Sequence, residues 1–174
     1  MMLNEDTILI AHPDLGETIE LSQRAHAGQV DKCGRPYYLH PLRVTMRLAN
    51  CTSAERHAAL LHDVVEDTSV TLDDLRKRAY STEIMELVDL LTRRMPERES
   101  HNQYMDRLVQ SGNVQALRVK LADVYDNMSP ARSRNLPPAD RGMRHRFARD
   151  AGCLLDALNA LGDELHRTIV EGDL

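Results

Sequence analysis

Six apolar residues, Ala58, Ala59, Leu60, Leu61, Val64 and Val65, crowd one short stretch and, wound as a helix, fall on nearly every side of it. A helix that apolar is stable only when other elements surround it, so the stretch predicts a central helix inside a layered fold. Ser53 is placed to cap its start. The covering elements read as helices too. Leu15 to Ala27 is predicted as a helix capped by Asp14 and stopped by Gly28, followed by a polar loop from Gln29 to Arg35. Pro36 keeps the chain extended, and Pro41 suits the first turn of a helix whose inner face is expected to be Leu42, Met46 and Ala49. His40 then stands at a helix entrance.

The second half repeats the pattern. Thr71 with Asp74 resembles a capping pair, and Ser81 opens a helix carrying Ile84, Leu87, Val88 and Leu91 at helical spacing, closed by Pro96. Ser100 with Gln103 makes a capping box, and Gly112 supplies a stop. Asn113 caps a helix whose stripe is Leu117, Leu121, Val124 and Met128, ended by Pro130. A loop with Pro137 and Pro138 leads to a long final helix with Phe147, Leu154, Leu158, Leu161 and Leu165 along one side. No segment alternates long enough for a strand, and 174 residues suffice for one core, so an all-α helical bundle with a single domain over 1–174 is expected.

Charge and termini narrow the function classes. Twenty-two Lys plus Arg against 27 Asp plus Glu leave a formal net charge of -5, which offers nucleic acid or an acidic membrane no global attraction. Any phosphate ligand must meet a local basic patch. Met1 to Ile10 carries acids and a four-residue apolar run, too short for a signal peptide or a membrane span, and a cytoplasmic location is expected. Cys33, Cys51 and Cys153 are odd in number and widely spaced, and read as ordinary thiols. The sequence leaves the oligomeric state unknown.

The chemistry enters where polar residues interrupt the apolar helix. His62 and Asp63 lie inside its most hydrophobic part, where a carboxylate pairs, takes a proton or binds a metal. On a continuous helix Glu66 lies one turn beyond His62 and Asp67 one turn beyond Asp63, so all four groups can line one cleft. A hydrogen-bonded core pair is the ordinary explanation of a lone His-Asp. A second polar stripe weighs against it: Lys120, Asp123 and Asn127 fall at i, i+3 and i+7 on the helix from Val114. With His40 at its helix entrance, these faces offer two imidazoles and two carboxylates, a mixed N and O set suited to Mn, Fe(II), Co or Zn rather than Mg or Ca.

Three segments carry a family resemblance. They are residues 25–44 (Ala-His-Ala-Gly-Gln-Val-Asp-Lys-Cys-Gly-Arg-Pro-Tyr-Tyr-Leu-His-Pro-Leu-Arg-Val), 60–68 (Leu-Leu-His-Asp-Val-Val-Glu-Asp-Thr) and 119–128 (Val-Lys-Leu-Ala-Asp-Val-Tyr-Asp-Asn-Met). In order and spacing they resemble the RelA/SpoT-type hydrolase domain of the HD superfamily. The resemblance covers Leu15 to Met128 closely and implies an HD-domain bundle. No synthetase-like region follows, so it also implies kinship to small stand-alone alarmone hydrolases, the metazoan SpoT homologue among them.

The resemblance implies that His40, His62, Asp63 and Asp123 bind one Mn ion and that Glu66 and Asp67 handle the attacking water. The substrate it implies is a small nucleotide of the (p)ppGpp type, cleaved to pyrophosphate and a nucleoside di- or triphosphate. Lys32 and Lys120 would offset phosphate charge, and Asn127 matches the family's asparagine that contacts the ribose or its 3′ substituent. Two departures bear on substrate. Asp31 stands where the family has an arginine packed on the purine, and a carboxylate cannot stack on a base as a guanidinium does. The family's Asp-Arg-Leu-His-Asn reads Asp123-Val-Tyr-Asp-Asn127 here, losing a basic group and an imidazole, which is expected to change the pocket's polarity. A related phosphohydrolase acting on an adenosine alarmone or NADPH is therefore the alternative reading, and a catalytically silent nucleotide-binding module is a third.

Other polar residues take the ordinary reading. His12, His26, His57, His101, His145 and His166 are excluded as ligands, and His57 sits about 140° around the helix from His62. Arg93, Arg94 and Arg98 read as a solvated helix end. Arg132, Arg134, Arg141, Arg144, Arg146 and Arg149 read as a charged helix face, although with Phe147 they can line a phosphate or purine pocket.

Overall fold

The computed structural model describes residues 13–94, 99–133, 140 and 142–169. Expectations at Met1 to Ile10, His12, Pro96, Arg98, Arg134, Pro137, Pro138 and Arg141 lie outside the described residues. Within them the order is α1 (Leu15–Ala25), α2 (Leu39–Arg47), α3 (Ser53–Leu61), α4 (Val64–Asp67), α5 (Leu72–Lys77), α6 (Thr82–Leu91), α7 (His101–Gln110), α8 (Val114–Met128), α9 (Pro130–Ser133) and α10 (Met143–Ala160), then a 3-10 turn, Leu165–Thr168. Among the described residues there is no strand, only the isolated bridges Val30–Pro36 and Leu48–Ile169. The fold is all-α. No helix among them is long and apolar enough to cross a membrane.

Local chemistry starts most of these helices. Capping boxes pair Asp14 with Glu17, Thr52 with Glu55, Thr71 with Asp74 and Ser100 with Gln103, and Ser81 and Asn113 cap α6 and α8 with one side chain each. Each cap is worth about 1 kcal/mol. The cap of α3 is Thr52, one residue before the expected Ser53, because the Thr52 hydroxyl accepts from the Glu55 amide and Glu55 answers to the Thr52 amide. Helix α3 packs against α1, α2, α6 and α8, while α8 also meets α7, α9 and α10. These two helices form the centre, and Ala58, Leu61, Leu117 and Leu121 are fully buried there.

Four expectations need correction. The helix through Val65 is not continuous: α3 ends at Leu61 and α4 begins at Val64, with His62 and Asp63 in the turn between. Asp63 makes no side-chain cap and points its carboxylate at Tyr37 and the two histidines instead. Helix α2 turns inward not Leu42, Met46 and Ala49 but His40, Val44 and Arg47; Met46 is 67% exposed. The reason is a buried ion pair that draws Arg47 into the core. Pro130 opens α9 rather than only ending α8. Finally, α10 stops at Ala160, where Gly162 takes a positive φ of 73°, leaving Leu161 and Leu165 48% and 44% exposed.

Candidate metal centre and its cavity

Four ligand-type side chains meet at the junction of α2, the α3–α4 turn and α8. His40 is the second residue of α2, fixed there by the bridge that closes the 30–36 loop, whose Gly34 has φ 78°. The turn at 62–63 lets two successive side chains converge, which an unbroken helix would splay about 100° apart. Asp123 comes from the middle of α8.

One ligand atom each from His40, His62 and Asp63 lies within 4.8 Å of the others. His40 Nε2 is 3.0 Å from Asp123 Oδ1 and 3.5 Å from Asp63 Oδ2. His62 Nε2 is 3.0 Å from Asp63 Oδ2 and 3.8 Å from Asp123 Oδ1. Edges of about 3.0–3.6 Å are what ligands about 2.1 Å from one transition-metal ion make.

The protonation pattern also suits a cation. His62 Nδ1 donates to the Ala59 carbonyl at 2.7 Å, so in the neutral ring Nε2 carries the lone pair. That Nε2 is buried and has no hydrogen-bond partner, since Asp63 is near but out of line. His40 Nδ1 donates to Asp126 Oδ2 at 2.8 Å, which aims its Nε2 at the same point. Burial disfavours a charged His62, but Asp63 and Asp123 outweigh it and push its pKa up to about 9 when no cation shares the site. Burial likewise raises the Asp63 and Asp123 carboxyls, but the imidazoles hold Asp63, and Lys120 with His40 hold Asp123, well below the usual range.

A second layer fixes these ligands. Tyr37 Oη donates to Asp63 Oδ2 at 2.6 Å. Lys120 Nζ binds Asp123 Oδ2 at 2.7 Å, and Asn127 Nδ2 donates to Asp123 Oδ1 at 2.6 Å. Asp126, fully buried, accepts from His40, Arg43 (2.9 Å), Arg47 and Arg132 (3.1 Å). Of the two departures from the family's motif, the imidazole's position, Asp126, lies beneath His40 rather than on the cavity wall, whereas the basic group's position, Val124, does line the cavity with an apolar side chain.

The quartet's His40, Asp63 and Asp123 open onto a cavity of about 750 Å³ whose wall includes Lys32, Glu66, Lys120 and Asn127. Glu66 accepts from the Arg93 amide at 3.0 Å and faces Arg93 Nε at 3.2 Å. Arg93, read from sequence as solvated, is thus on the cavity wall. Asp67 is outside the lining, with part of its surface open to solvent, and is linked to the site by the Tyr37 hydroxyl at 3.5 Å; partial shielding of its carboxyl from water, together with the Asp63 and Glu66 charges, pushes its pKa up to about 6. Lys32 is neutralised by Asp140 at 2.6 Å. Asp31 turns inward, accepting from the Cys33 and Arg35 amides and from Arg35 Nε, so it braces the loop. Although burial raises its pKa, these bonds hold it below the ordinary value.

Among the excluded histidines, His26 pairs with Gln29, His57 with Thr18, His101 with Asp150 and His166 with Asp163, while His145 is exposed. Sequence reasoning missed Tyr37, Asp126, Arg43, Arg93 and the His101–Asp150 pair as parts of the site. Only Tyr37 carried a signal, its place beside the loop that delivers His40.

The HD domain family profile matches residues 18–150. The chain is 34% identical over 129 residues to a probable guanosine-3′,5′-bis(diphosphate) 3′-pyrophosphohydrolase of Mycoplasma pneumoniae, covering 65% of this chain and 17% of that protein. It is 30% identical over 138 residues to the Aquifex aeolicus guanosine-3′,5′-bis(diphosphate) 3′-pyrophosphohydrolase, covering 72% of this chain and 20% of that one. The chain thus spans about a fifth of the length of these curated relatives. A solved structure described as a metazoan ortholog of SpoT that hydrolyzes ppGpp superposes with a TM-score of 0.72 at 22% identity, covering 91% of this chain and 94% of that one. At that identity the likeness concerns the fold.

Proposed function

The chain belongs to the HD domain family, and from that premise we propose that it is a metal-dependent nucleotide 3′-pyrophosphohydrolase acting on (p)ppGpp-type alarmones. The observation that carries the reading is the buried, unpartnered Nε2 of His62 set between the carboxylates of Asp63 and Asp123 and opposite His40. His40, His62, Asp63 and Asp123 would hold one divalent ion, with Mn fitting the N and O donors. Such an ion supplies neutralising charge for phosphate oxygens and makes hydroxide available near neutral pH.

The chain's own residues do the rest. Glu66 orients and deprotonates the attacking water, held in place by Arg93. Asp67, outside the cavity lining, acts on the site only through the Tyr37 hydroxyl that it shares with Asp63. The water oxygen bonds to phosphorus, the bond from the 3′ diphosphate to the ribose breaks, and the ribose oxygen takes up a proton. Pyrophosphate and a nucleoside di- or triphosphate leave. Asn127 spends its amide N–H on Asp123 and keeps its carbonyl oxygen for the ribose or its 3′ substituent. Lys32 and Lys120 add positive potential on the wall, although Asp140 and Asp123 already offset them. The same reading puts the protein in the cytoplasm, as one domain over 1–174.

The test is a panel. Mn-loaded protein incubated with ppGpp, ppApp and NADPH should release pyrophosphate from a 3′-diphosphate, stop on chelation and recover on adding Mn. Asp31 lines the cavity with its oxygens already engaged by its own loop, and the ratio of ppGpp to ppApp turnover reads the base preference. A Mn-loaded protein that hydrolyses no member of the panel would sink the reading.

Metal binding should carry a pH signature. Only neutral His62 can ligate, and its pKa is about 9 in the metal-free protein, so at pH 7.5 binding must displace a proton. Affinity should climb about tenfold per pH unit up to about 9 and then level off. The raised pKa also contributes stability to the metal-free fold that is full below about 6.5 and is lost as pH rises through 9. The metal-induced rise in Tm should therefore grow between pH 6.5 and 9. Calorimetry in buffers of differing ionisation heat checks the proton, and no release at pH 7.5 would contradict the assignment of His62.

A further inference from the structure

The cations on the cavity wall are nearly all matched by acids. Lys32 is held by Asp140, Arg93 by Glu66, Lys120 by Asp123, Arg132 by Asp126, and the His101 ring by Asp150. Arg146 lines the same cavity and is the one such cation with no acidic partner among the described residues. Its Nε is shut away from solvent, so an acceptor entering the cavity would meet the terminal Nη groups, which bond to no described residue. An unmet donor of that kind is unfavourable unless an acceptor from outside completes it.

Its surroundings fix its direction. Met143, Arg146, Phe147 and Asp150 all line the cavity, and they fall at i, i+3, i+4 and i+7 on α10, one face of one helix. The Arg146 guanidinium lies over the Phe147 ring at 5.1 Å, which holds its plane and leaves its edge for hydrogen bonding. Asp150, one turn on, would be its natural partner, but its Oδ2 is taken by His101 at 2.8 Å. The two terminal Nη–H groups of a guanidinium match two oxygens of a phosphate side by side.

We propose that Arg146 is the binding residue for the nucleotide's 5′-phosphate, taking that end of the substrate while the 3′ end lies at the His40, His62, Asp63 and Asp123 cluster. This rests on the nucleotide pyrophosphohydrolase reading and adds to it the group that selects 5′-phosphorylated substrates. Phe147 is a positioning residue that keeps the fork in plane.

The probe pair is a nucleoside 3′,5′-bisphosphate and the matching 3′-monophosphate, with adenine and guanine versions of each. Neither has a pyrophosphate to lose, so binding to Mn-loaded protein is read without turnover. Wild-type protein should bind the bisphosphate about 10- to 100-fold more tightly. Arg146→Gln should erase most of that preference while leaving the 3′-monophosphate affinity and the unfolding temperature unchanged, and Arg146→Lys should fall between. On ppGpp, Arg146→Gln should raise KM with little change in kcat. A preference that survives in Arg146→Gln, equal weakening of both nucleotides, or no preference in wild type overturns the proposal. If the preference is present and depends on Arg146 but ppGpp is not cleaved, the phosphate site stands and the reaction assigned above falls.

Discussion

Glu66→Gln is expected to lower turnover by about 10²–10⁴-fold while divalent metal still binds. Glu66 lines the cavity beside Asp63 but stands outside the group of three, His40, His62 and Asp63, that Asp123 completes. Its Oε2 accepts from the Arg93 amide, a bond that a glutamine carbonyl can keep, so the side chain should hold its place. What glutamine cannot do is take a proton from water. His62→Ala differs in kind, since it removes one of the proposed ligands and should lose metal and turnover together. Steady-state pyrophosphate release, with metal content measured after dialysis, separates the two. Full activity in metal-loaded Glu66→Gln would show that another group handles the water.

The largest loss of stability should come from Asp126→Ala, a change outside the cavity. Its carboxylate is fully buried and takes donors from His40, Arg43, Arg47 and Arg132, with Arg47 itself fully buried. Burial raises the Asp126 carboxyl, but these donors hold it far below the ordinary range, so it is charged at any working pH. Removing it takes the shared carboxylate away from these cations, and breaking a buried ion pair typically costs about 3–5 kcal/mol. Urea unfolding of the metal-free protein should show a lower midpoint at unchanged slope. Asp126→Asn keeps one acceptor oxygen, loses the charge and turns the other oxygen into a donor facing the same cations, and should lie between. A midpoint for Asp126→Ala matching wild type would mean that the arginines find other partners.

The two variants bear on how much the sequence could tell. Helix starts were legible because capping is local: Asp14, Thr71, Ser81, Ser100 and Asn113 each act on an amide within three residues. The buried face of α2 was not, since apolar Leu42 and Met46 promised an inward stripe and the partner that draws Arg47 inside lies 79 residues away. Residues 62–63 contain no glycine or proline, so nothing local announces the break there. The expected ligand quartet rested on motif order and spacing rather than on local pattern, and the structure brings its members together. Asp126 looked like a missing imidazole in a motif, and only packing reveals it as the anchor of His40. Arg93 looked like solvent-facing charge for the same reason, because Glu66 is 27 residues upstream.

The turn at His62–Asp63 has a consequence for any effort to harden this protein against heat. Mending it into one uninterrupted coil would recover backbone hydrogen bonding of about 1 kcal/mol each and swing the two side chains to different compass points. Selection for robustness alone would thus favour sequences that dismantle the centre, a stability–activity trade-off lodged in two adjacent residues.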